Sequence, residues 1–146
     1  MAWFPYVILF LALLLIWYMP KHLSKVEIYV TWFVIALINL SVDIVLSFVF
    51  NLYELGEEGI QLSVHIIELS LGSAHGIIFL NFMPQKRKRF LSYFLFWLIY
   101  SVLLEAGLVH FKFIHYSGWK LWYSFIFYSL ALLYTRWHLF FIRSGK

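Results

Sequence analysis

Pro84-Gln85-Lys86-Arg87-Lys88-Arg89 separates two long apolar runs, and the reading of this stretch decides the fold. Consecutive positive charges are too costly to place in hydrocarbon, and a proline ends the helix that precedes it. The flanking runs, residues 61–82 and 90–111, carry one acidic residue each, Glu68 and Glu105. Each is about the 20 residues that a helix needs to cross a bilayer core of ~30 Å. A short basic break between two such runs is the pattern of a membrane protein with a cytoplasmic Lys/Arg loop.

The same logic, carried outward, divides the chain into five spans: residues 3–19, 28–50, 61–82, 90–111 and 120–141. Pro5 suits a first helical turn, and Pro20 closes the first span. Trp3, Trp17, Tyr18, Trp119, Trp122, Tyr123, Tyr134 and Trp137 cluster near span ends as an interfacial belt. Composition agrees. Only 12% of residues are charged and 64% are hydrophobic, whereas a soluble domain is about 25% charged. A soluble core of this chain length would be overfilled; lipid as solvent removes the difficulty.

Orientation follows from Lys and Arg. With five spans, Lys21, Lys25, Lys86, Arg87, Lys88, Arg89, Arg136, Arg143 and Lys146 share one side. The other side has Lys112, Lys120 and the acidic turn Glu54, Glu57, Glu58. The positive side is cytoplasmic by this rule, so the N-terminus lies outside and the C-terminus inside. The expected fold is all-α: a single domain, 1–146, forming a bundle of five transmembrane helices with the third at its centre. Lys86, Arg87, Lys88 and Arg89 serve as a membrane anchor. The net charge of +4 is matched to anionic lipid headgroups rather than nucleic acid.

Several function classes drop out. The chain has no Cys, which excludes disulfides, thiolate metal sites and Cys nucleophiles. It has no Walker A, no G-x-G-x-x-G and no G-x-S-x-G. The first span lacks a basic leader and a small-residue cleavage site, so it is expected to be a retained helix.

The acids inside the spans carry the functional reading. A carboxylate in hydrocarbon costs several kcal/mol unless it is neutral, paired or solvated. Asp43, Glu68 and Glu105 each lie about seven residues from the outer end of a span, roughly 10 Å deep. Asn39, Asp43 and Ser47 form one polar stripe; Trp97, Ser101 and Glu105 form another. His65, Glu68, Gly72, His75 and Gly76 share an arc of about 100°. Gly72 and Gly76 make a G-x-x-x-G, which lets helices pack closely. These placements define a candidate proton- or cation-binding site of Asp43, Glu68, His65, Glu105 and Asn39, serving transport or sensing. The alternative is an accessory or scaffold protein whose polar groups bridge helices, with Glu68 bonded to Asn39 or Tyr100. Tyr123, Ser124, Tyr128, Ser129 and Tyr134 add hydrogen-bonding groups on the fifth span. Arg136 and His138 fall at the inner headgroup level.

A metal- or haem-dependent membrane enzyme is the third reading. His65-x-x-Glu68 places two ligands on one face, and Asp43 or Glu105 could complete an N/O set for zinc, manganese or iron. The spacing is not H-E-x-x-H, since Ile66 and Leu69 occupy the diagnostic places. His65 with His110, or His75 with His138, would each join two helices as haem ligation requires. No cofactor or metal identity follows from the sequence.

The layout resembles a family of small multi-pass integral-membrane proteins of Gram-positive spore-forming bacteria. The carriers are Asn51-Leu52-Tyr53-Glu54, the basic break after Pro84, the Glu105 span, and Phe113-Ile114-His115-Tyr116-Ser117-Gly118-Trp119. The resemblance implies a bacterial cytoplasmic membrane and supplies no activity and no functional residues. Five helices are few to enclose a pathway, so a homo-oligomer or a membrane partner protein is expected.

Overall fold

The computed structural model describes residues 3–55, 62–111 and 114–144, apart from the side chains of 47, 48, 53–55, 62–65 and 68. Among the described residues the chain is all-α but for one pair of short strands. It forms five α-helices: α1 (Trp3–Tyr18), α2 (Lys25–Asp43), α3 (Leu62–Asn81), α4 (Arg87–His110) and α5 (Leu121–Ser144). The ends lie within a few residues of the expected spans, and the shifts have local causes. α2 begins earlier because Ser24 and Glu27 form a capping box: Ser24 Oγ accepts from the Glu27 N–H, and Glu27 Oε1 accepts from the Ser24 N–H. This satisfies two donors that a helix start otherwise leaves bare. α4 likewise starts inside the basic break, with exposed Lys86 at its N-cap.

α2 passes directly into a π-helical turn, Ile44–Val49. Asn51 then adopts a left-handed conformation with φ 53°, which asparagine tolerates better than most residues. The turn leads into β1 (Tyr53–Leu55), which pairs antiparallel with β2 (Ile114–Tyr116), Glu54 opposite His115. This sheet ties the α2–α3 connection to the α4–α5 connection. The sequence reading did not include it, because three-residue strands carry no periodicity long enough to see.

The helices run back and forth between two ends. At one end, Asn81 closing α3 accepts from the His22 N–H at 2.7 Å and donates to the Pro20 carbonyl at 2.9 Å. Arg143, near the end of α5, pairs with Glu27 at 2.8 Å. The basic break lies at this end too. At the other end, Phe4 stacks on Phe111 with ring centroids 4.7 Å apart, beside the β1–β2 pair.

α3 lies at the centre, with Ser73, Ala74, Ile77 and Phe79 almost wholly buried. Its close approach to α2 depends on glycine. A Cβ at Gly72 would collide with Asn39 Nδ2, and one at Gly76 with Ile35 Cδ1. The outward surface is the reverse of a soluble protein's. Phe10, Leu11, Phe33, Leu37, Phe96, Leu103, Leu130 and Phe141 are all exposed. An apolar surface of that extent marks contact with a membrane or with other protein. Among the described residues, three helices are long and apolar enough to cross a membrane: Lys25–Leu46, Arg87–His110 and Leu121–Ser144. Trp3–Tyr18 and the Leu69–Asn81 part of α3 are shorter apolar stretches.

Candidate functional site

The helices part around a cavity of about 210 Å³ bordered by α2, α3, α4, α5 and the loop before α5. α2 contributes Asn39 and Asp43, one turn apart on the same face. α4 contributes Trp97, Ser101 and Glu105, again at steps of four. α3 contributes Gly72, His75 and Gly76, and α5 contributes Tyr128. No Lys or Arg is found among the described residues that border the cavity.

Glu105 is buried and accepts three hydroxyl donors. Tyr116 Oη donates to Oε2 at 2.5 Å, Ser124 Oγ also donates to Oε2, and Tyr128 Oη donates to Oε1 at 3.0 Å. Both carboxyl oxygens are thus engaged by hydroxyl groups. Ser124 and Tyr128 reach it together because they are one turn apart on α5. Ser124 Oγ in turn accepts from Trp119 Nε1 at 2.9 Å. Each hydrogen bond contributes a net ~0.5–1.5 kcal/mol or more, so three of them offset part of the cost of burying a carboxyl group.

Tyr116 and Trp119 are brought here by the far end of α2. The Leu52 carbonyl, just after left-handed Asn51, accepts from the N–H groups of Ser117, Gly118 and Trp119 at 2.8, 2.9 and 3.1 Å. One carbonyl so anchors the loop that supplies two members of the Glu105 network. Burial, and then the bond to Glu105, pushes the Tyr116 phenol well above the ordinary tyrosine range. It therefore remains a donor throughout the physiological range.

His75 faces the same cavity with both ring nitrogens engaged. Nδ1 lies 2.7 Å from the Leu71 carbonyl, which can only accept, so Nδ1 carries hydrogen. In the neutral ring Nε2 is then an acceptor, and Tyr100 Oη donates to it at 2.9 Å. Near the opposite end, His138 Nε2 sits 3.2 Å from Thr31 Oγ1.

The sequence-derived residues thus divide. Asn39, Asp43 and Glu105 border one cavity. The side chains of His65 and Glu68 lie outside the described residues, although both positions belong to α3. Gly72 and Gly76 lie against α2 and also line the cavity. Lys86, Arg87, Lys88 and Arg89 are exposed at the start of α4. Among the described residues no group of three His, Asp or Glu side chains is placed to hold a metal ion. The Arg136 guanidinium lies over Phe90 and Phe140, 4.3 and 4.9 Å from the ring centroids.

Sequence reasoning left several residues without a site. His75 was visible on the polar arc of α3, and the i,i+4 spacing of Ser124 and Tyr128 was visible on α5. Tyr116 gave no signal, because its role depends on the β1–β2 pairing. Glu27 gave none either, since its partner Arg143 is 116 residues away. Comparison with protein-family models, curated proteins and solved structures finds no match to the chain. The resemblance noted above therefore rests on its quoted stretches.

Proposed function

We propose that the protein is a five-span membrane protein, N-terminus outside and C-terminus inside, whose central cavity takes up a positive charge, a proton or a cation, for transport or sensing. The resemblance supports the bacterial cytoplasmic membrane as its location. Three helices long enough to span, an apolar outer surface and the gathering of Lys21, Lys25, Lys86–Arg89 and Arg143 at one end support the topology. α1 and α3 complete the five, α1 being short but packed along α3.

One observation carries the functional part. Asp43 and Glu105, on different helices, are both buried and border the same cavity, with no Lys or Arg among its described lining residues. Buried carboxyl groups in a medium of low dielectric favour uptake of a proton or a cation. In this reading Asp43 is the group that takes up the proton or faces the cation, while Glu105 is held by its hydroxyl partners.

The scaffold reading has one observation of its own: the Glu105 network links α4, α5 and the loop between them, as helix-bridging polar groups do. Infrared spectroscopy of the protein in lipid nanodiscs separates the two. A site gives a protonated-carboxyl band that grows on acidification and disappears in Asp43→Asn, with helical content unchanged. A scaffold gives no band that responds to Asp43→Asn.

A further inference from the structure

We propose that the cavity binds an uncharged, lipid-soluble ring compound bearing a hydroxyl group, a phenol or an aromatic alcohol. This goes beyond the charge-uptake reading and uses no carboxyl charge. It starts from two polar side chains on the cavity wall, Asn39 of α2 and Ser101 of α4. Hydroxyl groups inside helices commonly turn back to the carbonyl four residues earlier. Ser41, Ser129 and Thr135 do so, donating to the carbonyls of Leu37, Phe125 and Ala131 at 2.8, 2.7 and 2.7 Å. Ser101 does not, and its hydroxyl has no hydrogen-bond partner among the described residues. The two asparagines of α2 and α3 differ in the same way. Asn81 uses both ends of its amide, on the His22 N–H and the Pro20 carbonyl. The Asn39 amide, able to donate and to accept, has no hydrogen-bond partner among the described residues. A polar group without a partner is costly in an apolar interior, and both of these groups open onto one cavity.

The rest of the cavity says what completes them. α2 packs on α3 and α4 packs on α5, and the cavity occupies the gap between the two pairs. An occupant therefore meets Asn39 from one pair and Ser101 from the other. Much of the wall is apolar, with Ile35, Leu71, Leu104, Leu108 and Leu132 among its members. Such walls suit ligands that are mostly apolar with a few placed polar groups. Size sets the bulk. A cavity of about 150 Å³ accommodates benzene, and this one, at about 210 Å³, has room for a ring with a short side chain. Trp97, Tyr100 and Phe127 offer faces and edges against which a ring packs favourably. A hydroxyl on that ring both donates and accepts, which is what an amide and a serine call for. Both are neutral partners, and a charged ligand would forfeit its hydration on entering an apolar wall.

The test uses the full-length protein in nanodiscs and equilibrium dialysis with 4-propylphenol. The comparison is 4-propyltoluene, in which a methyl group replaces the hydroxyl, and protein-free nanodiscs correct for partition into lipid. The expected result is saturable binding of 4-propylphenol, at least about fivefold tighter than any saturable binding of 4-propyltoluene. Ser101→Ala and Asn39→Ala should each weaken it about three- to tenfold, the range of one lost neutral hydrogen bond. Ser129→Ala, whose hydroxyl is satisfied on its own helix, should leave it unchanged. Asn39 also lies against Gly72, so if Asn39→Ala fails to fold, the smaller truncation Ser101→Ala decides. Equal binding of 4-propyltoluene, binding unchanged in Ser101→Ala, or no saturable binding beyond that of protein-free nanodiscs overturns the proposal. The infrared band of Asp43 decides the charge-uptake reading separately, so either reading can fall while the other stands.

Discussion

Replacing Glu105 by alanine removes the acceptor for the hydroxyls of Tyr116, Ser124 and Tyr128 at once. Ser124 is fully buried, so its hydroxyl has no solvent to turn to. A donor left unsatisfied costs about 1–3 kcal/mol, and three of them at the lower figure give about 3 kcal/mol. Loss of the buried charge returns some desolvation energy, but removing one side of a buried polar cluster is destabilising on balance. At about 2–4 °C per kcal/mol for a chain of this size, Glu105→Ala should lower Tm by roughly 6–12 °C. Glu105→Gln keeps one carbonyl oxygen as acceptor and should lose about half as much. Thermal unfolding followed by tryptophan fluorescence in one detergent measures both. A Glu105→Ala variant within about 1 °C of the wild type would refute the reasoning, because the three donors would then not depend on this carboxylate.

The other elements make their own predictions. Gly76→Leu should destabilise by about 1–3 kcal/mol through overpacking against Ile35, and adding Ile35→Ala should restore part of the loss, read by the same melts. Arg143→Met removes the guanidinium from buried Glu27 and should cost about 1.5–3 kcal/mol; a loss that disappears at high salt would contradict a pair in which Glu27 is shielded from solvent. Tyr116 has a raised folded-state pKa, so its contribution is intact below the ordinary tyrosine value of 10.0 and is lost as pH rises through the folded value. Tm should therefore fall on the alkaline side, and fall less in Tyr116→Phe.

Helix number and placement were legible because long apolar runs announce themselves by length, by charge-free composition and by basic breaks. The polar stripes were legible too. Asn39 with Asp43, and Trp97 with Ser101 and Glu105, repeat every four residues, and both stripes border the cavity. Periodicity gives the face of a helix but not what stands opposite. That Glu105 meets Tyr116 depends on a three-residue strand pairing and on the Leu52 carbonyl, both set by tertiary contact. The Thr31–His138 and Glu27–Arg143 contacts likewise join helices distant in sequence. The start of α2 was readable in principle from Ser24-x-x-Glu27, a capping-box spacing that the apolar run beginning at Ile28 outweighed. The π-helical turn after Asp43 has no sequence signature that would announce it.

The absence of cysteine makes the central claim directly measurable. Ser101→Cys places a single thiol on the cavity wall, one turn from Glu105. Its reaction rates with cationic and anionic methanethiosulfonate reagents of similar size report the charge of the cavity, and Leu103→Cys on the exposed apolar face is the control. The account predicts at least about a tenfold preference for the cationic reagent at Ser101→Cys, equivalent to 1.4 kcal/mol. That preference should collapse when Asp43→Asn and Glu105→Gln are added. Equal rates for the two reagents at Ser101→Cys, or a preference that survives loss of both carboxylates, would contradict a cavity built to take up positive charge.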